Sequence, residues 1–156
     1  GSSFTDKPAD RGGPTKYGIT RRALSEYLKR RATKNEVRAL TKRRARMIYR
    51  KLYVSKPGFD KIRDPALCSQ LIDAGVLHGR RWASRRLQEI VDVKIDGRVG
   101  PKTLAAVNFS GKTDGLSLQF LYRRIRRCAR IVQNDETQAV WLWGWQRRAL
   151  DVFFET

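Results

Sequence analysis

The stretch FTDKPADRGGPTKYGIT, Phe4 to Thr20, crowds together residues that could do chemistry. Asp6 and Asp10 supply carboxylates, Thr15 supplies a hydroxyl, and Gly12-Gly13 lies between Asp10 and Thr15. Glycine lets a backbone take positive φ or come close to a ligand. A carboxylate and a hydroxyl on such a turn can position a water between them. That is half of a hydrolase, because glycoside cleavage needs a protonated acid as well as a carboxylate. On spacing alone the segment also reads, more often, as a surface turn with side-chain-to-backbone hydrogen bonds.

Two further segments stand out. VKIDGRVGPKTLAAV reads as an extended piece, a turn at Asp96-Gly97, and a helix opened by Pro101. The C-terminal part is basic and aromatic: Tyr122, Arg123, Arg124, Arg126, Arg127 and Arg130 share one helix, and Trp141, Trp143 and Trp145 alternate. Arginine beside aromatic rings suits stacking on bases and equally on sugar rings. It also fits core tryptophans beneath a solvated arginine face. The tryptophan alternation is wrong for a single helical face, so at least one ring is expected to be partly exposed.

The elements that must hold these groups are almost all helices. Residues 4–18 read as loop. Thr20 then caps a helix with Ala23, Leu24, Tyr27 and Leu28 on one face. Thr33 with Glu36 forms a capping box. Thr41 opens a helix with the stripe Ala45, Ile48 and Leu52, for which Met47 is a further candidate. Asp64-Pro65 starts the least polar helix, with Leu67, Leu71, Ile72 and Val76, which is expected at the centre. Helices follow after Gly79, at Pro101, over about 116–133, and along the tryptophan-rich C-terminus. The fold class expected is mainly α, with at most a short strand or turn near 91–99.

The chain has 156 residues, 40% of them apolar, enough for a core. Its net charge of +19 attracts polyanions in a salt-dependent way. DNA, RNA, anionic lipid and an anionic cell wall are all candidates. No apolar run reaches the length of a membrane span, and no secretory signal is legible. Cys68, Cys128 and the single histidine, His78, lack metal-ligand spacing, so no metal is expected; two buried thiols are the first reading of the cysteines and a single bridge the alternative. Gly1-Ser2-Ser3 looks like a cloning remnant.

These segments occur in the order found in one family. The chain resembles the muramidases of glycoside hydrolase family 108, lysozyme-like enzymes with a C-terminal peptidoglycan-binding-like half. The family opening, Glu-Gly-Gly-aromatic then Asn-Asp-Pro-x-Asp-x-Gly-Gly-x-Thr-x-x-Gly-Ile, is matched from Phe4 by Pro8, Asp10, Gly12, Gly13, Thr15, Gly18 and Ile19. IYRKLYV resembles Tyr-Arg-x-x-Tyr-Trp, with Val54 in place of tryptophan. LIDAGVLHG keeps Asp73, Val76 and Gly79, with Leu77 where the family has asparagine. Leu87-Gln88, Ile95 to Leu104 and Gly144 to Arg148 echo the C-terminal motifs.

The resemblance implies a lysozyme-like helical hydrolase, with residues 1–80 as the catalytic half and 81–156 as the peptidoglycan-binding-like half, packed as one unit. It implies cleavage of the β-1,4 bond after N-acetylmuramic acid, in a phage endolysin or a secretion-linked wall hydrolase. It needs no cofactor. Asp10 and Thr15 fall at catalytic positions, and Tyr17, Gly18, Tyr53 and Asp73 at substrate-binding ones. The family's catalytic glutamate falls on Gly1, so the chain as written is expected to be inactive and to lack the helix that carries the acid. A non-catalytic wall- or partner-binding protein is the alternative, and a basic nucleic-acid-binding protein, without any standard recognition signature, the third. Peptidoglycan and the anionic envelope are the expected partners, with no specific nucleic acid and a monomeric chain. The protein would be made in the cytoplasm and act in the periplasm or outside, after export or holin-dependent release.

Overall fold

The structure, a computed structural model, describes residues 3–6, 13–109 and 113–155. Among them α-helix dominates. The chain divides into two compact units, Gly1–Lys56 and Pro57–Thr156.

The first unit starts with a small hairpin of β1 (Thr15–Lys16) and β2 (Ile19–Thr20), paired antiparallel. Helices α1 (Arg21–Leu28), α2 (Lys34–Arg38) and α3 (Lys42–Tyr49) follow, and the chain continues as a π-helical turn, Arg50–Ser55. Each start signal read from sequence operates. Thr20 accepts from the Ala23 amide at 3.1 Å, Thr41 from Arg44 at 3.2 Å, and Thr33 and Glu36 cap each other. Each cap satisfies a helix-end donor that has no partner within the helix. Ile19, Leu24, Val37, Leu40, Ala45, Ile48 and Leu52 form the core. Met47, the further candidate for the α3 stripe, is left out of it, 53% exposed.

The second unit contains α4 (Pro65–Ala74), α5 (Arg80–Ile90), α6 (Pro101–Asn108), α7 (Thr113–Asn134) and α8 (Ala139–Phe154). Asp64 caps α4 through the Leu67 amide at 3.1 Å, with Pro65 at the first helical position. As its low polarity predicts, α4 is central to this unit, packing on α5, α7 and α8. Leu67 and Leu71 are fully buried, each stabilising the fold by about 1.5–3 kcal/mol. A π-helical turn, Gly75–Gly79, carries α4 towards α5. Cys68 and Cys128 are free thiols.

Two expectations need correction. Residues 15–20, read partly as loop, form the hairpin. Arg124 is not part of a solvated arginine face, since it is fully buried. Near 91–99, where a short strand or turn is expected, a turn forms, held by Gln88. The exposure expected of the tryptophans is found at Trp141 and Trp143, at 59% and 71%.

Candidate active site

The hairpin that carries Thr15 owes its shape to Tyr17-Gly18. Both residues have positive φ, 51° and 72°, as a two-residue turn of the type I′ class requires. An added Cβ on Gly18 would collide with the Tyr49 hydroxyl. Position 18 is therefore restricted twice, by its backbone and by its neighbour. Tyr17, Tyr49 and Tyr53 all pack against the first unit's core, and the Tyr49 and Tyr53 rings lie 5.4 Å apart. The turn and Tyr53 thus meet through Tyr49. That residue was part of the IYRKLYV motif but was not singled out; its four-residue spacing from Tyr53 is the signal that could have found it.

Thr5 and Thr15 exchange two backbone hydrogen bonds, each 2.8 Å. Asp6 is ion-paired with Lys34. The Arg38 guanidinium stacks on Phe4 at 4.8 Å, and Lys16 Nζ donates to the Arg38 carbonyl at 2.7 Å. Residues 4–6 and 13–16 are therefore tied to each other and to α2. Pro8, Asp10 and Gly12 lie outside the described residues.

Thr15 Oγ1 sits 2.8 Å from the Gly13 carbonyl. A carbonyl only accepts, so the hydroxyl proton points at Gly13 and the oxygen's lone pairs remain able to accept from water. Gly13 itself has φ +63°, a region L-residues avoid at about 1–2 kcal/mol.

Asp73 belongs to the second unit. It is buried, and both its oxygens are engaged: Oδ2 by Arg124, Oδ1 by Arg148 Nε at 2.7 Å and Nη2 at 2.5 Å. The cluster ties α4, α7 and α8 together. Burial lowers the Arg124 pKa, and Asp73 opposes that shift. His78 stands beside it, edge-on to Trp82 at 5.0 Å and 3.9 Å from the Cys128 sulfur. Burial, then Arg124 and Arg127, push His78 down to about 4. Leu77 is 37% exposed in the preceding turn.

Gln88, quoted in the C-terminal motif, is a buried hub. Its Nε2 donates to Asp96 Oδ1 at 2.9 Å and to the Arg98 carbonyl at 3.0 Å, and its Oε1 accepts from the Gly97 amide at 2.8 Å. The Gln88 hydrogen bond, then that of the Arg98 amide, holds the Asp96 carboxyl below its usual range.

An open groove of about 550 Å³ in the first unit is lined, among the described residues, by Tyr27, Met47, Arg50, Lys51 and Ser55 rather than by the hairpin. Among the described residues no cluster of His, Cys, Asp or Glu could hold a metal.

Comparison with known proteins bears on both units. Residues 1–79 match the family described as Glycosyl hydrolase 108, and residues 78–150 match one described as Predicted Peptidoglycan domain. A solved structure titled "Structure of Brucella abortus SagA" is 32% identical, covering 98% of this chain and 84% of that one, with a TM-score of 0.83. No curated protein matches.

Proposed function

The chain belongs to the glycosyl hydrolase 108 family, and from that premise we propose that it is built as a muramidase, for the β-1,4 bond between N-acetylmuramic acid and N-acetylglucosamine. Membership puts it among peptidoglycan hydrolases, and the match over residues 78–150 makes peptidoglycan its ligand. The observation that carries the finer reading is Thr15. Its hydroxyl proton is committed to Gly13, its backbone is paired with Thr5, and its neighbour Lys16 is tied to α2. A pinned acceptor of this kind can orient a water.

In this reading a glutamic acid with a raised pKa protonates the glycosidic oxygen. Asp10 and Thr15 then orient the water or stabilise positive charge at the anomeric carbon. Tyr17, Gly18 and Tyr53, joined through Tyr49, form one wall of the glycan site. Within the second unit, Asp73 is proposed to act on the polymer through Arg148, which it holds and whose side chain is 59% exposed. The domain assignment proposed is a catalytic part over 1–80 and a wall-binding part over 81–156. The protein acts at the wall, reached through a holin or another exporter, as an endolysin or a secretion-linked hydrolase.

A second reading is a protein on the same fold that binds glycan without cutting it, which would follow from loss of the general acid, at a cost of roughly 10²–10⁴-fold in rate.

The test is zymography and turnover on chloroform-treated Gram-negative cells. The chain with Gly1 is expected to be nearly inactive. Gly1→Glu with Ser2→Gly and Ser3→Gly, which supplies the family's acid motif, should cleave. On that background Asp10→Asn or Thr15→Ala should cut turnover far more than sacculus binding. Full activity with Gly1, or an unaffected Asp10→Asn variant, sinks the assignment.

A further inference from the structure

Between α5 and α7 the second unit has a cavity of about 70 Å³, lined by Trp82, Arg86, Arg123, Arg126, Arg127 and Arg130. About 10–15 Å³ by this measure holds one water, so a small oxyanion fits. The cavity is over-supplied with cations. Among the described residues, Glu89 is the one carboxylate paired with these arginines, shared by Arg86 and, at 3.3 Å, Arg123. Arg126 rests against the Tyr122 ring at 5.5 Å. The Nε atoms of Arg86 and Arg127 are buried without a hydrogen-bond partner. Along α7, Arg123 and Arg130 each lie three or four residues from both Arg126 and Arg127, spacings at which like charges destabilise a helix. Buried unpaired donors add to that cost. An anion in the cavity would relieve both.

We propose that this cavity binds a carboxylate of the acidic stem peptides of peptidoglycan. The proposal rests on the reading of peptidoglycan as the ligand, and all six residues lie within the matched segment 78–150. Where the lactyl groups of the glycan are joined to peptide, the remaining negative charge of the polymer resides in stem-peptide carboxylates. The guanidinium fork matches a planar carboxylate with two parallel hydrogen bonds. Trp82, packed on Phe120 and His78, offers an apolar wall to the aliphatic part of the peptide.

The experiment is calorimetric titration of the full chain with a soluble N-acetylated stem tetrapeptide (L-alanine, D-glutamate, diaminopimelate, D-alanine), beside a sacculus pull-down. The wild type should bind the peptide. Arg127→Gln should weaken Kd about 10- to 100-fold, the worth of one charge-assisted hydrogen bond. Arg126→Gln with Arg130→Gln, both exposed positions, should weaken it too and leave the circular dichroism melt intact. Arg127→Lys should restore only part, because an ammonium lacks the fork. Lys102→Glu, an exposed charge reversal on α6, should change nothing. If the wild type binds sacculi but not the peptide, or the cavity variants bind the peptide as tightly as wild type, the cavity assignment falls and the peptidoglycan reading stands. If the wild type ignores sacculi yet binds the peptide through Arg127, the reverse holds. Inorganic phosphate bound more tightly than the peptide overturns the carboxylate assignment.

Discussion

Removing the carboxylate of Asp73 should leave a charged arginine stranded in the second unit. Arg124 is fully buried, and its Nε and Nη1 already lack partners. Its bond to Asp73 is the interaction that offsets its desolvation. Breaking a buried pair from one side costs about 3–5 kcal/mol. A folded chain has only about 5–15 kcal/mol in total. For a chain of this size that lowers the melting temperature by about 6–20 °C. Arg148 engages the same carboxylate but is 59% exposed, so Arg148→Ala should cost no more than about 1 kcal/mol. Asp73→Leu combined with Arg124→Leu should recover most of the loss, since apolar replacement of a buried pair is often neutral. The assay is urea unfolding followed by tryptophan fluorescence and circular dichroism, for both single variants and the double. An Asp73→Ala protein within about 1 kcal/mol of wild type, or a double variant worse than the sum of its singles, would refute the reasoning.

Gly18→Ala should destabilise the first unit by more than the about 1–2 kcal/mol of left-handed strain, because its Cβ also meets the Tyr49 hydroxyl, whereas Gly13→Ala, with nothing within 4 Å of its Cβ, should cost the strain alone; thermal melts of the two variants give the comparison. Gln88→Leu should expose the Gly97 amide to hydrogen exchange and cost about 1–3 kcal/mol through unsatisfied backbone groups, and unchanged protection at Gly97 would count against the hub. His78, held at about 4 against a usual 6.5 by burial and the charges of Arg124 and Arg127, stays neutral in the fold while the unfolded chain takes up a proton. Its contribution is thus complete above pH 6.5 and is lost as pH falls towards 4, by about 3 kcal/mol at about 1.4 kcal/mol per pH unit. Urea midpoints measured across that window should slope for wild type and flatten in His78→Gln.

What the sequence determined by itself is the helical frame. Thr20, Thr33, Thr41 and Asp64 each satisfy a donor three residues ahead, and Pro65 and Pro101 act through their own φ, so their effect can be read without knowing the fold. The low polarity of α4 likewise foretold its central packing. The motif order pointed to the family for the same reason: it is a pattern of residue types along the chain. Tertiary structure decided the rest. The hairpin has only two residues per strand, too short for an alternating pattern, and it is fastened by Thr5, ten residues from Thr15. Tyr49 joins the candidate site because its hydroxyl abuts Gly18. Among the arginines of α7, nothing local distinguishes Arg124 from its neighbours. It is buried because Asp73, 51 residues earlier, lies opposite it, and the same carboxylate is reached by Arg148 from 75 residues away. Capping is settled within one helical turn. A buried charge is settled by which distant side chain the packing brings to it.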